Sequence, residues 1–228
     1  MLDVVILLIF VLLAVFLIGR SSNNIKEDSR EVSSNSDNDI VDIPPEDKLV
    51  QWILVHSAEN ALSMYNNPTI VDKDKVSEQG LIGAMFEIAF FYVHCANRMI
   101  FSKFGLERRN QIINSILDIL WANFVNTVLK DYNATDIEIL NAVYKSIYGL
   151  AEPQYGICIS LFEEKSSAAA REAGESATAT LTVITDRLYK VFTGKDIAYD
   201  IIFVTYVKEI IITNLSEGEI ESAVNCMD

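Results

Sequence analysis

The chain has 228 residues, half of them hydrophobic, and a formal net charge of −14 from 18 Lys and Arg against 32 Asp and Glu. That balance argues against nucleic acid as a partner, because affinity there comes from Lys and Arg neutralising phosphates, and equally against a broad electrostatic hold on anionic lipid. The three cysteines, Cys95, Cys158 and Cys226, lie far apart without a C-x-x-C pair and read as ordinary thiols of a reducing compartment.

Residues 1–20 read MLDVVILLIFVLLAVFLIGR, and nothing from Val4 to Gly19 is charged or strongly polar. Sixteen helical residues reach about 24 Å. A bilayer hydrocarbon core is about 30 Å thick, so Met1 and Leu2 must help and the bilayer thins slightly. The only side-chain charge before the run is Asp3, and Gly19-Arg20-Ser21 makes a poor cleavage site. The pattern therefore predicts a retained single-pass transmembrane anchor; the alternative is export after signal-peptide cleavage. Arg20, Lys26 and Arg30 all follow the span, which by the positive-inside bias places the remainder of the chain in the cytoplasm.

Residues 21–46 form an acidic linker. Counted to Asp47, the stretch holds eight acids, two bases and no aromatic residue. It cannot bury enough apolar surface to offset the entropy of ordering, so a disordered tether is expected.

Helical periodicity follows. A first helix starts at Pro45 to Asp47, where a proline and two acids suit a helix N-terminus, and runs to about Asn66 before "NNPT". A second runs from about Ser77 to Lys103, with Gly105 as its stop. In the third, Ile113, Ile116, Leu117, Leu120, Trp121, Phe124, Val125 and Val128 fall on one stripe at helical spacing. The fourth begins at a capping box, Thr135-Asp-Ile-Glu138, and stops at Gly149. "AEPQYGICIS" allows a short extended piece. Alanine-rich "SSAAAREA" opens a fifth helix that reaches Phe192 and closes at Gly194. Asp196 to Leu215 is long enough, and spaced well enough, to be helical despite its β-branched content. The expected architecture is all-α: a compact bundle of five to six helices over 47–215, and a tail, 216–228, that frays.

The stretch "EIAFFYVHCANRMIF", Glu87 to Phe101, is apolar yet holds Glu87, His94 and Arg98. At about 100° per residue the three lie within about 40° of one another. Three readings follow. The stripe is a solvent edge with an exposed His94–Arg98 pair; or it is a buried polar network whose members find partners on neighbouring helices; or it is a site in which His94 acts as base or ligand beside Glu87.

The segment "FEIAFFYVHCANRMIFSKFGLERR", Phe86 to Arg109, resembles a stretch of small uncharacterised bacterial all-helical proteins. It carries an acid (Glu87), an aromatic run (Phe90-Phe91), His94, Arg98 four residues on, Phe101, and the turn Gly105-Leu106-Glu107-Arg108-Arg109. The resemblance implies an all-helical fold and brings no activity or catalytic residue with it.

Recognisable chemistry is otherwise lacking. With His56 and His94 the only histidines, no H-E-x-x-H or E-x-x-H pair exists, and no metal or cofactor is expected. Glu163-Glu164 reads as an exposed pair, and "TGKD", Thr193 to Asp196, as a helix C-cap rather than a phosphate loop. The resulting expectation is a membrane-tethered cytoplasmic helical module that binds a protein partner or itself. The alternative is an enzyme or small-ligand-binding domain with its site around Glu87, His94 and Arg98.

Overall fold

Pro45 opens the first helix, α1 (Pro45–Asn66), where a missing N–H costs nothing, and Glu46 and Asp47 face the positive end of the helix dipole. The computed structural model describes residues 44–158, 179–198, 200–216 and 218–227. The expected anchor, the linker as far as residue 43, the expected alanine-rich helix start, and Glu163 and Glu164 lie outside them. The helix α1 ends at Asn67, which Pro68 forces into extended backbone. After a single 3₁₀ turn, Lys73–Lys75, the Ser77 hydroxyl accepts the Gly80 N–H at 3.1 Å and starts α2 (Glu78–Thr127).

The helix α2 is two antiparallel arms, 78–104 and 106–127. Gly105 sits between them at φ 73°, ψ −176°, a conformation that side-chain-bearing residues rarely adopt. The reversal is evident from Phe86 and Phe124, whose rings are 5.0 Å apart; an unbroken helix would separate them by about 57 Å. The expected stop at Gly105 is thus the tip of a hairpin, and the second arm begins at once. Tyr132 donates a hydrogen bond to Glu78, closing the open end of the hairpin.

Every residue from Leu81 to Asn97 is buried, so this part of the first arm is surrounded on all sides. By length and composition α2 is the one described helix able to cross a membrane, and 83% of its apolar window is buried inside the protein, as befits a core helix. Its aromatic residues bind α3 (Ala134–Gly156): Tyr144 packs on Phe86, Phe90 and Trp121 with ring centroids at 5.2, 4.7 and 5.1 Å. The Tyr144 hydroxyl donates to the Leu117 carbonyl.

Two expectations for α3 need correction. Its cap is Asn133, not Thr135: the Asn133 side chain accepts the Asp136 N–H at 2.9 Å and donates to the Asp136 carboxylate at 2.7 Å. The helix also continues through Gly149 and Pro153 to Gly156, where an extended piece had been allowed. Pro153 withholds only the bond to the Gly149 carbonyl, and the burial of Ala151 and Tyr155 around it holds the turn in place.

The helix α4 (Thr180–Thr193) buries Leu181, Ile184, Leu188 and Phe192, and ends at left-handed Gly194, whose N–H bonds the Lys190 carbonyl at 2.8 Å. "TGKD" is therefore a C-cap. The helix α5 (Ile201–Ser216) starts later than Asp196, because the Asp200 carboxylate accepts the N–H groups of Ile202 and Phe203. It is tied to the core where Asn60 and Asn214 both donate to the Tyr92 hydroxyl, at 2.8 and 3.1 Å.

The tail does not fray as expected. It forms α6 (Glu219–Asn225), burying Ile220, Val224 and Met227. The Lys103 ammonium donates to the Val224, Asn225 and Met227 carbonyls at 3.1, 3.0 and 2.7 Å, a cation on the negative end of a helix. All elements seen among the described residues are helical, in agreement with the expected all-α bundle.

Gly105→Ala tests the hairpin. An added Cβ meets nothing within 4 Å, so the cost is backbone strain alone. The variant should lose about 1–3 kcal/mol, at about 2–4 °C of melting temperature per kcal/mol. Unchanged thermal unfolding would mean that the reversal tolerates any residue.

Candidate functional site

The buried first arm of α2 carries an acid at Glu87, and α4 delivers its counter-charge. Arg187 sits between the buried positions Ile184 and Leu188, so the geometry of α4 aims it inward. It donates Nε–H to Glu87 Oε2 at 2.6 Å and Nη2–H to Oε1 at 2.9 Å, a two-pronged pair with side chains 12% and 7% exposed. Arg187 also donates to the Gln154 side chain at 2.8 Å and to the Ile147 carbonyl at 3.4 Å, so the pair joins α2, α3 and α4. Burial pushes the Glu87 carboxyl above its ordinary range, and the Arg187 guanidinium offsets part of that rise.

Two turns along, His94 is 6% exposed, and neither ring nitrogen has a hydrogen-bond partner among the described residues. Its ring lies 5.2 Å from that of Tyr155, whose buried hydroxyl is likewise without a partner among them. Burial foremost, then the nearby Arg98 and Arg109 charges, lower the His94 pKa to about 4. His94 is therefore neutral near pH 7. The crevice it shares with Asn97, Tyr148, Glu152 and Tyr155 is too tight for a water molecule.

Arg98 stands apart from the other two. It is exposed, and its Nη1–H reaches the Cys158 carbonyl at 3.4 Å. The solvent-edge reading thus fits Arg98 and not Glu87 or His94. A second arginine, Arg109 on the returning arm, donates to Asn97 and, at 3.2 Å, to Glu152 of α3. Glu87–Arg187 and Asn97–Arg109–Glu152 bracket His94 along one seam of the bundle.

Sequence reasoning found Glu87 and His94 but missed Arg187 and Tyr155. Arg187 had a signal: it is a base within an apolar face, as Glu87 is an acid within one. Tyr155 had none, because the segment around Pro153 did not read as helix.

An open cavity of about 740 Å³ reaches Glu87 and Arg187 between α3 and α4. Leu150, Ile157, Val183 and Val191 contribute to its apolar wall. The charges on it are engaged: Lys190 pairs with Asp196 at 2.7 Å, and Asp186 accepts the Ala198 N–H at 2.8 Å. His94 is not on its wall. Among the described residues no three His, Cys, Asp or Glu side chains gather to hold a metal ion. His56 packs on Trp52 and lies 3.5 Å from Glu59 at a half-buried position. Cys95 is wholly enclosed, and burial pushes its thiol up to about 12, which makes it inert. The arrangement supplies a buried ion pair and a neutral histidine without a nucleophile held against it. Such a seam specifies how helices pack. No family model, curated protein or solved structure matches the chain.

Breaking the pair should be costly and removing it should not. Arg187→Met leaves a buried carboxylate and should cost about 3–5 kcal/mol, while Glu87→Met with Arg187→Met should recover most of that. A double variant as unstable as the single one would show that the pair contributes to stability in its own right.

His94 sets a pH dependence. Its folded pKa, about 4, lies below the ordinary 6.5, so the unfolded chain binds the proton more tightly. Its contribution is full above about pH 6.5 and falls away between pH 6.5 and 4, by about 3 kcal/mol in all. Denaturant titrations of His94→Phe across that window should lose this slope; an unaltered slope would assign acid sensitivity to other groups.

Proposed function

We propose that this chain is a membrane-tethered helical module whose globular part, on the cytoplasmic side, binds another protein or organises a membrane-associated assembly. One observation carries the binding role. The helix α3 presents an uncharged stripe to solvent on which Ile139, Val143, Leu150 and Ile157 are 57%, 39%, 59% and 64% exposed. At about 100° per residue the four lie within about 40° of one another. Large apolar side chains aligned in water along one helix mark an interaction face, unlike scattered exposure. The flank of the stripe carries Glu138, Lys145 and Glu152. Such charges suit the polar rim of a protein contact better than the interior of a bilayer.

The tether is supported by the apolar run Val4–Gly19 and the bases Arg20, Lys26 and Arg30 that follow it. The acidic segment 21–46 would supply reach between the span and α1. Confinement to a membrane raises the local concentration of weak binders, which suits a stripe of this modest size. The seam of Glu87, His94 and Arg187 supports a structural rather than a catalytic core. A second reading, a small-ligand-binding domain, is favoured by the cavity that reaches Glu87. Its wall and its already paired charges would suit an apolar ligand.

Photo-cross-linking residues placed one at a time in the full chain, in its native membrane, test the binding face. Positions 143 and 150 should give cross-linked species and position 138 should not; silence from the stripe would overturn this reading. The chain should also resist alkaline carbonate extraction, and protease added outside intact cells should leave the globular part whole. Extraction would remove the tether, and digestion would reverse its orientation.

A further inference from the structure

We propose that the occupant of the α3 stripe is a second copy of this chain, packed antiparallel to the first about Gly149 and Leu150. This rests on the reading of α3 as a docking face. The face carries both halves of a fit. Val143, Leu150 and Ile157 recur every seven residues as ridges, and Ala142, Gly149 and Gly156 recur beside them at the same pitch. All six are exposed. A Cβ built at Gly149 or Gly156 would meet nothing within 4 Å, so the ridges Leu150 and Ile157 have open space next to them. Glycine inside a helix is unfavourable by about 1 kcal/mol relative to alanine, a cost that close approach of another backbone would offset.

A seven-residue repeat is the period of a helix partner, whose side chains insert between those of its neighbour. A two-fold axis at Gly149–Leu150 sets Val143 of one copy beside Gly156 of the other, Leu150 beside Gly149, and Ile157 beside Ala142. The contact is isologous, as in most dimers. Antiparallel packing also sets the charged flanks of the two copies on the same side, with Lys145 of one within a turn of Glu152 of the other. Parallel packing separates those flanks.

Area and charge set the strength of the contact. One helix face buries well under the ~800 Å² per partner of a standard interface. Copies carrying a net charge of −14 also repel one another. Pairing is therefore weak in dilute solution and becomes populated where a membrane concentrates the copies. Salt screens the repulsion over about 8 Å at physiological ionic strength and leaves apolar packing intact, so salt strengthens the pair.

Cysteine cross-linking of the full chain in phosphatidylcholine vesicles tests this, with exposed Cys226 replaced by serine. Leu150→Cys should link to itself as a species of twice the mass. Val143→Cys and Ile157→Cys should link only when mixed, whereas parallel packing would link each to itself. Added salt should raise the yield. Gly149→Leu fills the hole without altering the fold of one copy and should cut the Leu150→Cys yield about tenfold, while the melting temperature rises slightly as a helix-interior glycine is removed. A yield indifferent to Gly149→Leu, or no doubled species at all, overturns self-pairing. If the stripe cross-links in native membranes to a species that is not twice the chain mass, self-pairing fails while the binding role stands. If it cross-links to nothing, both fail.

Discussion

A helix buried on every side has no solvent edge on which to place a charge. That constraint governs the first arm of α2, where Leu81 to Asn97 are all enclosed. An isolated carboxylate there would have to neutralise itself or find a cation. Glu87 finds Arg187, and because Arg187 comes from α4 and also grips Gln154 and the Ile147 carbonyl, one ion pair sets how three helices meet. A pair of this kind adds little net stability over apolar packing, but it strongly disfavours arrangements that leave either charge alone. His94 shows the other solution open to a buried titratable group, which is to stay neutral, with its pKa lowered to about 4.

The hairpin at Gly105 makes that burial possible. Folding α2 back on itself supplies its own second layer, so that Phe86 meets Phe124 and, with Phe90 and Trp121, encloses Tyr144. Arg109 sits just beyond the turn and reaches Asn97 and Glu152 only because the chain has reversed. Lys103, just before the turn, holds the last helix by three carbonyls. The residues around one glycine therefore join the two arms, α3 and α6.

The buried charges of the core are engaged in packing. The feature that packing does not explain is the α3 stripe, uncharged and exposed, with Gly149 and Gly156 opening onto empty space. On the tethering proposed above, such a face is best kept weak, since an interface strong enough to act in solution would be permanently occupied at a membrane.

Local signals decided the class of the fold and most of its punctuation. Pro45 with two acids, Gly105 and Gly194 each act through backbone conformation or the helix dipole, and those effects reach only a turn or so along the chain. The same range explains the errors. Gly149 and Pro153 look like breakers, and only the burial of Ala151 and Tyr155 against distant helices carries α3 past them. The tail looks too polar to order until Lys103, more than a hundred residues earlier, meets its carbonyls. On the seam, periodicity put Glu87, His94 and Arg98 on one face, but which of them is buried depends on what packs there. Pairing Glu87 with Arg187 joins residues 100 apart in the chain, a match that no local pattern encodes because it exists only once α2 and α4 are side by side.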